Sequence, residues 1–189
     1  MYAEHFGPHG VRTRSGLHFS LTFHFPLSTF YLAMTDVLVV GAGPAGSVAA
    51  LVLARGGARV RLVDVASFPR AKLCGDTINP GALAIADRLG VGEDVRARAR
   101  PITGMLLTGP GGVAVAADYS HGLRGAAIER RTLDILLLEA AMAAGVDFAP
   151  GVRALAPLVD GDGRVNGSRI RTAAGEAEMR ARIVVAAEG

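Results

Sequence analysis

Three glycines and one acid in this chain have the residue types and spacing of a set that binds phosphate and ribose. Gly41, Gly43 and Gly46 form the pattern G-x-G-x-x-G, and Asp64 follows at roughly the 20 residues typical of a ribose-binding acid. In such a set the first glycine permits a tight turn, the second lets the backbone approach a pyrophosphate, and the third lets a helix pack against a strand. The carboxylate can accept from both hydroxyls of a ribose. These residues therefore predict the binding of a dinucleotide.

Residues 36–64 supply the elements that must position this set. The apolar run Val37 to Val40 predicts a strand buried on both faces, an alanine-rich helix follows up to Gly56-Gly57, and Val60 to Val63 predicts a second strand. Phosphates would lie at the helix N-terminus, where unpaired N–H groups and the helix dipole favour an anion without a cationic side chain. The glycine loop contains no such cation. A glycine-rich turn that binds nothing is the alternative, but the complete succession of elements favours the dinucleotide site.

The composition predicts one globular domain. With 189 residues, 50% of them hydrophobic, the chain is long enough for one sizeable core and too short for a second full domain. The formal net charge is +3 and the basic residues are scattered, which argues against nucleic acid as a partner. A single cysteine excludes an internal disulfide and is typical of the reducing cytoplasm, where we expect the protein to be. No uninterrupted apolar run approaches the ~18 residues of a membrane span.

Residues 1–33 differ from the rest of the chain, because they hold most of its histidines and phenylalanines. From Met34 the sequence reads MTDVLVVGAG, as a dinucleotide-binding protein usually begins. We expect Met34 to be the natural start and 1–33 to be an atypical extension, disordered or translated from a misassigned start. A targeting segment is the alternative, but the features of a secretory signal are missing. No histidine pair has convincing ligand spacing, so no metal site is predicted.

Helices and short strands alternate in the sequence beyond Asp64. The expected elements are a turn-rich segment Ala66 to Pro80, a helix Gly81 to Leu89, a hairpin of Thr103 to Leu107 with Val113 to Ala117, a helix Thr132 to Ala144, and a short strand Val146 to Phe148.

The last part of the chain predicts a small antiparallel meander that leads into a buried strand. Its strands are expected at Val152 to Val159, Val165 to Thr172 and Glu178 to Arg182, the last running into Ile183 to Ala187. The apolar final run is expected to lie in the parallel sheet beside the first strand. In such sheets ligands bind beyond the carboxyl ends of the strands. Only Glu188 and Gly189 remain there, so we expect a fragment that ends before its substrate domain is complete.

Four pieces of the sequence together identify a family resemblance. They are GAGPAG in the glycine unit, PRAKLCGDTINP from Pro69 to Pro80, IERRTLD from Ile128 to Asp134, and IVVAAEG from Ile183 to Gly189. From Met34 onward the chain resembles the N-terminal FAD-binding part of the flavoprotein superfamily that includes aromatic-ring hydroxylases and, more closely, the geranylgeranyl reductase family. The resemblance implies an α/β, Rossmann-like FAD-binding fold with a parallel central sheet and a small antiparallel β-meander.

The resemblance also implies roles for individual residues. Arg70 and Lys72 would lie near the isoalloxazine or the substrate, where cations stabilise negative charge that develops on reduction. Arg130 would contact the ribityl and phosphate region. The implied catalytic residues are Arg70, Lys72 and Cys74. The implied cofactor-binding residues are Gly41, Gly43, Ala45, Gly46, Asp64, Arg70, Cys74, Gly75, Arg130, Glu188 and Gly189.

Two positions depart from the family pattern. For each candidate residue, a purely structural role also stays open. Glu188 stands where aspartate is usual, and Asp64 replaces a glutamate common in FAD-binding versions. An arginine is more often a solvated charge than a ligand, and a lone Cys74 is more often a small buried residue than a reactive thiol. Asp76 can equally be a turn residue or a catalytic one.

The function implied by the resemblance is that of an FAD-dependent oxidoreductase. Reduced flavin would pass a hydride to a carbon–carbon double bond of a prenyl or other apolar small molecule, with NAD(P)H as the electron donor. One alternative is a flavin-dependent aromatic or polyketide monooxygenase. Another is a non-catalytic FAD-binding fragment. The sequence leaves open whether a C-terminal part beyond Gly189 contacts a membrane. It also leaves the oligomeric state open.

Overall fold

The computed structural model describes residues 35–74 and 76–188. The expectations for residues 1–33, Met34, Gly75 and Gly189 lie outside the described residues. The helices are α1 Pro44–Arg55, α2 Pro80–Arg88, α3 Gly92–Arg98 and α4 Arg130–Ala143. The strands are β1 Thr35–Val40, β2 Val60–Asp64, β3 Thr77–Ile78, β4 Arg100–Ile102, β5 Gly104–Thr108, β6 Ala114–Asp118, β7 Gly125–Ala127, β8 Asp147–Pro150, β9 Arg153–Val159, β10 Val165–Thr172 and β11 Gly175–Ala186. None of the described helices has the length and apolar character needed to span a bilayer.

A six-stranded sheet with the order β8-β2-β1-β11-β10-β9 forms the centre of the fold. Strands β8, β2, β1 and β11 are parallel neighbours, and β11, β10 and β9 continue as an antiparallel meander. The expected α/β class with a parallel sheet and a small meander is confirmed. In the apolar run of β1, Val37, Leu38 and Val39 are buried, as predicted, because both faces of the strand are covered, whereas Val40 is half-buried.

The two faces of β1 belong to different apolar clusters. Val39 packs with helices α1 and α4, where Leu51 and Leu138 are fully buried. Leu38, on the opposite face, packs with Ile170 of the meander. Because successive side chains of a strand point to opposite faces, one short apolar run supports two cores.

Strand β11 belongs to both halves of the sheet. Its residues 175–180 pair antiparallel with β10, whereas residues 181–186 pair parallel with β1, where Ile183 lies opposite Val37. The predicted return of the last apolar run to the first strand is confirmed. Its predicted burial is wrong, because Ile183 is 56% exposed, Ala186 is exposed, and Val184, Val185 and Ala187 are half-buried. Among the described residues, β11 pairs with β10 only at residues 175–180. Beyond Arg180, the edge of β11 on the β10 side has no strand partner in this described part.

The other expected elements are present with small shifts in their ends. The hairpin forms from β5 and β6, and the strongest downstream helix begins at Arg130, two residues earlier than predicted. The sequence did not predict α3, because Val95 is its one large apolar residue and leaves no apolar stripe. Strands β3, β4 and β7 form a small sheet and were also missed, because two or three residues are too short for an alternating pattern.

The β5–β6 hairpin is apolar and exposed. More than half of the surface of each of its large apolar side chains is accessible, namely that of Met105, Leu106, Leu107, Val113 and Val115. The two strands pair only with each other among the described residues. This hairpin is therefore the largest run of exposed apolar side chains along the described chain.

Candidate dinucleotide site

The turn between β1 and α1 is tightly packed against the end of β11. Gly41 has a φ of +99°, and a Cβ there would lie 2.6 Å from the carbonyl oxygen of Ala187. The amide of Ala187 donates to the carbonyl of Val40 at 2.7 Å, which holds the two segments together. A Cβ on Gly46 would collide with the carbonyl oxygen of Gly41. Glycine is needed at both positions, since the turn leaves no room for a side chain.

Gly43 is the N-cap residue just before α1, and it faces two guanidinium groups. A Cβ on Gly43 would lie 3.4 Å from Nη2 of Arg70 and 3.4 Å from Nη2 of Arg130. Arg70 comes from the segment after β2, and Arg130 is the first residue of α4. The glycine loop itself carries no cation, as the sequence showed, but two cations reach the same helix N-terminus from elsewhere. The helix dipole and the guanidinium groups thus favour an anion at one place.

Asp64 ties the glycine turn to the end of β2. Its side chain is 7% exposed, and its two oxygens accept from the amides of Ala42 and Ala66, each at 2.8 Å. Nη2 of Arg70 is 4.0 Å from Oδ2. Each carboxylate oxygen has two lone pairs, so both can still accept from a hydroxyl of a ligand.

Asp134 was not predicted as a site residue, yet it joins the two arginines. It is fully buried, and its Oδ1 accepts from Nε of Arg130 at 2.5 Å. Its Oδ2 lies 3.7 Å from Nη2 of Arg70 and has no hydrogen-bond partner among the described residues. The sequence contained a signal for it, because Asp134 is an acid inside the apolar run LDILLL and follows Arg130 by four positions.

The surroundings of Arg130 keep its guanidinium charged. Burial acts to lower the pKa of Arg130, but the hydrogen bond and the charge of Asp134 outweigh it, so that the pKa is raised above its ordinary value. The thiol of Cys74 acts in the same direction as Asp134. Arg130 is therefore a permanent cation next to Gly43.

Asp76 sets the position of α4. Its backbone has a φ of +50°, and its Oδ1 accepts from the amide of Arg130 at 3.0 Å. Its carbonyl accepts from the amide of Ile128 at 2.8 Å. The residue before the helix, Glu129, makes no side-chain cap, so Asp76 satisfies the N-terminus of α4 from a distant segment. The contact gives Asp76 a structural role at the site.

The remaining predicted residues lie at or near the edge of this cluster. Lys72 and Cys74 are exposed, and Lys72 forms no ion pair with any residue that the structure describes. Ala45 is exposed in the first turn of α1, and Glu188 is exposed beside Gly41. In the described ranges no group of three or more His, Cys, Asp and Glu side chains could hold a metal ion.

The chain matches a known protein family over most of its length. Residues 34–189 match the model described as an FAD binding domain. The chain belongs to this FAD binding domain family. The resemblance drawn from the four sequence pieces is thereby confirmed at the level of the superfamily, and FAD is the cofactor that the family implies.

The site fits the pyrophosphate of FAD. Gly43 leaves open the place that a Cβ would fill, and Nε of Arg70 is buried with no hydrogen-bond partner within the described part of the chain. An anion at this helix N-terminus would receive charge-assisted hydrogen bonds from both guanidinium groups. No metal is required for that contact.

Relatives in sequence include reductases. The chain is 40% identical over 133 residues to the menaquinone reductase of Mycobacterium tuberculosis, a match that covers 69% of this chain and 32% of the relative. It is 36% identical over 155 residues to digeranylgeranylglycerophospholipid reductase 1 of Methanopyrus kandleri, covering 82% and 39%. The chain thus spans about a third to two fifths of the length of these relatives.

Solved structures show the same fold with different chemistry. A geranylgeranyl bacteriochlorophyll reductase-like protein of Thermoplasma acidophilum aligns with a TM-score of 0.70 and 29% identity over 83% of this chain and 40% of its own. The myxobacterial chondrochloren halogenase, an FAD-dependent enzyme, aligns with a TM-score of 0.76 and 28% identity over 82% and 37%. The fold is therefore shared by reductase-like and halogenating flavoproteins.

Proposed function

We propose that this chain is the FAD-binding part of a flavin-dependent reductase. The substrates would be prenyl or other apolar small molecules with a carbon–carbon double bond, and NAD(P)H would be the electron donor. The observation that carries the FAD-binding part is the meeting of Arg70, Arg130 and the N-terminus of α1 at Gly43. The names of the relatives, reductases of menaquinone and of digeranylgeranylglycerophospholipid, support the reaction class.

The chain would hold FAD mainly through its ADP half. Amides at the start of α1 and the guanidinium groups of Arg70 and Arg130 would bind the pyrophosphate. Asp64 would accept from the ribose, and Gly41 and Gly46 keep the turn close to β11. Ala45 lies in the first turn of α1, where its small side chain leaves space for the ligand.

The position of Arg70 supports a role at the pyrophosphate more than a role at the isoalloxazine. Its guanidinium carbon lies 5.1 Å from the centre of the Phe68 ring, and its Nη2 points to Gly43. Lys72 and Cys74 follow in an exposed segment. We assign these two residues to the flavin and substrate side, together with Gly75.

Bound FAD supplies the hydride chemistry, and the protein supplies orientation and charge. Lys72 would place a cation where negative charge develops on reduction. Glu188, beside Gly41, would accept from a hydroxyl of the ligand, and Gly189 would allow close approach of the backbone.

Titration of the purified chain with FAD tests the proposal. We expect quenching of flavin fluorescence and retention of the yellow colour through gel filtration. The variants Arg70→Gln and Arg130→Gln should each weaken binding about tenfold or more, because each removes a charge-assisted contact. Arg131→Gln is the matched control, since Arg131 is the exposed neighbour of Arg130. Wild-type protein that never retains FAD would contradict the assignment.

The electron donor and the reaction need separate measurements. Anaerobic bleaching of the flavin absorbance by NADH and by NADPH, measured in parallel, identifies the donor. The halogenase neighbour favours a second candidate, an oxygen-using flavoenzyme such as a monooxygenase. Oxygen uptake coupled to substrate would support that candidate, whereas a saturated product formed without oxygen supports the reductase. FAD binding without turnover by either route would identify a cofactor-binding module.

A further inference from the structure

Asp134 is a fully buried acid in a helix that is otherwise apolar on that side. Its neighbours in sequence include Leu136, Leu137 and Leu138, all buried. A buried carboxylate is costly unless it is paired and hydrogen-bonded. Its presence therefore calls for a partner, and the partner with a hydrogen bond is Arg130.

The hydrogen bond to Asp134 occupies Nε of Arg130 and leaves Nη2 directed towards Gly43. Nε of Arg130 donates to Oδ1 of Asp134 at 2.5 Å, and Nη2 of the same group lies 3.4 Å from the place of a Cβ on Gly43. A planar guanidinium held at Nε has a fixed direction for its Nη groups. Asp134 thus determines where the outer edge of Arg130 lies relative to the start of α1.

The two arginines are held unequally. Arg70 has no side-chain hydrogen bond to Asp134 or Asp64, because its ion pairs with them are as long as 3.7 Å and 4.0 Å, and it stacks on Phe68. Its Nε is buried and lacks a hydrogen-bond partner in the described part of the chain. Arg130 is therefore the arginine whose position is fixed by a hydrogen bond, and Arg70 has N–H donors available for a ligand.

We propose that Asp134 is a positioning residue for pyrophosphate recognition and acts through Arg130. The proposal rests on the proposed function and deepens it, because it makes the site selective for ligands that carry a pyrophosphate over neutral nucleosides. Asp134 also balances one of the two clustered cations, which lets both guanidinium groups approach Gly43 without a ligand.

A double-mutant cycle with ADP and adenosine as probes tests this proposal. Asp134→Asn should weaken ADP binding about tenfold, and adenosine binding should change less than about twofold. In an Arg130→Gln background the same change should weaken ADP binding less than about twofold, because its effect passes through Arg130. Glu139→Gln is the control, since it makes the same chemical change at an exposed position of α4.

Three results would overturn the proposal. One is an Asp134→Asn variant with the ADP affinity of the wild type. Another is an equal loss of ADP binding in both backgrounds, which would show a general structural role. The third is a wild-type chain that binds neither ADP nor FAD, which overturns the proposed function as well and is recognised before any variant is made.

A measurement on the wild type remains decisive if Asp134→Asn does not fold. The Nε–H of Arg130, followed by nuclear magnetic resonance, should exchange with water more slowly than that of exposed Arg131. Its resonance should shift on addition of ADP but not of adenosine. Exchange as fast as in Arg131, or equal shifts with both probes, would overturn the proposal.

Discussion

The amide of Ala42 donates to Oδ2 of Asp64 at 2.8 Å, so the acid predicted to bind ribose also holds the glycine turn in place. The other oxygen of Asp64 accepts from Ala66, just beyond β2. One side chain therefore connects the first strand, the second strand and the candidate ligand site.

Replacing Asp64 by alanine should reduce stability as well as ligand binding. The buried amide of Ala42 and the partly buried amide of Ala66 would lose their acceptor, which costs about 1–3 kcal/mol in the free energy of unfolding. Urea denaturation monitored by circular dichroism measures this change. Glu139→Ala, at an exposed position, should stay within about 0.5 kcal/mol of the wild type. An unchanged urea midpoint for Asp64→Ala would show that the two hydrogen bonds contribute no net stability.

Gly43→Ala should mainly weaken FAD binding, whereas Gly46→Ala should mainly destabilise the fold. At Gly43 the new Cβ would lie 3.4 Å from the ends of two arginine side chains, an ordinary van der Waals contact, so stability should change by less than about 1 kcal/mol while FAD binding falls sharply. At Gly46 the new Cβ meets the backbone of Gly41, which should destabilise the fold by about 1–3 kcal/mol. Melting temperatures and FAD titrations separate the two effects. A destabilised Gly43→Ala variant with normal FAD affinity would contradict the assignment of Gly43.

The ion pair of Asp36 with Arg59 should make stability depend on pH. Hydrogen bonds from the side chain of Arg59, followed by one from its backbone, hold the pKa of Asp36 well below the ordinary 3.8. Because the folded-state pKa is depressed, the stabilisation is complete above the unfolded value and is lost as the pH falls through the folded one.

Asp36→Asn should therefore have a lower urea midpoint than the wild type at pH 7, and the difference should shrink as the pH falls below about 4. Asp94→Asn is the control, since it breaks an exposed ion pair within α3 and should change the midpoint little at either pH. A difference between wild type and Asp36→Asn that is constant with pH would rule out the ion pair as its cause.

The exposed hairpin of β5 and β6 should promote self-association of this chain. Contiguous exposed apolar surface and unpaired strand edges favour association. Leu106→Lys, at a side chain that is 67% exposed, should reduce the binding of a hydrophobic dye and the apparent mass at high concentration. Val52→Lys, at a single exposed apolar residue of α1, is the control and should leave both unchanged. Equal behaviour of the two variants would show that the hairpin has no special role.

The parts of the fold that follow from local sequence were predictable. Residues 36–64 form a strand, turn, helix and strand whose signals lie within a few residues of one another. The final apolar run could be placed beside β1 because a continuous apolar strand needs neighbours in a parallel sheet.

The assembly of the candidate site could not be predicted in the same way. Asp76 bonds the amide of Arg130 across 54 positions, and no periodic pattern encodes a contact between two such irregular segments. The spacing of Arg130 and Asp134 is that of an ion pair on a helix, but the burial of Asp134 depends on how α4 packs against the rest of the fold. Arg70 was expected at the flavin, and its position at Gly43 depends on how the segment after β2 folds back.

Strand β11 connects the antiparallel meander directly to the glycine turn between β1 and α1. Its first half is held in register by β10, and its last residues lead to Ala187, which lies against Gly41. A slip of two residues between β10 and β11 would carry Ala187 about 7 Å along the strand, away from Gly41. The pairing of the meander strands therefore fixes the position of Ala187 against the glycine turn. Insertions and deletions should be tolerated in the turns that join the meander strands but not within the strands.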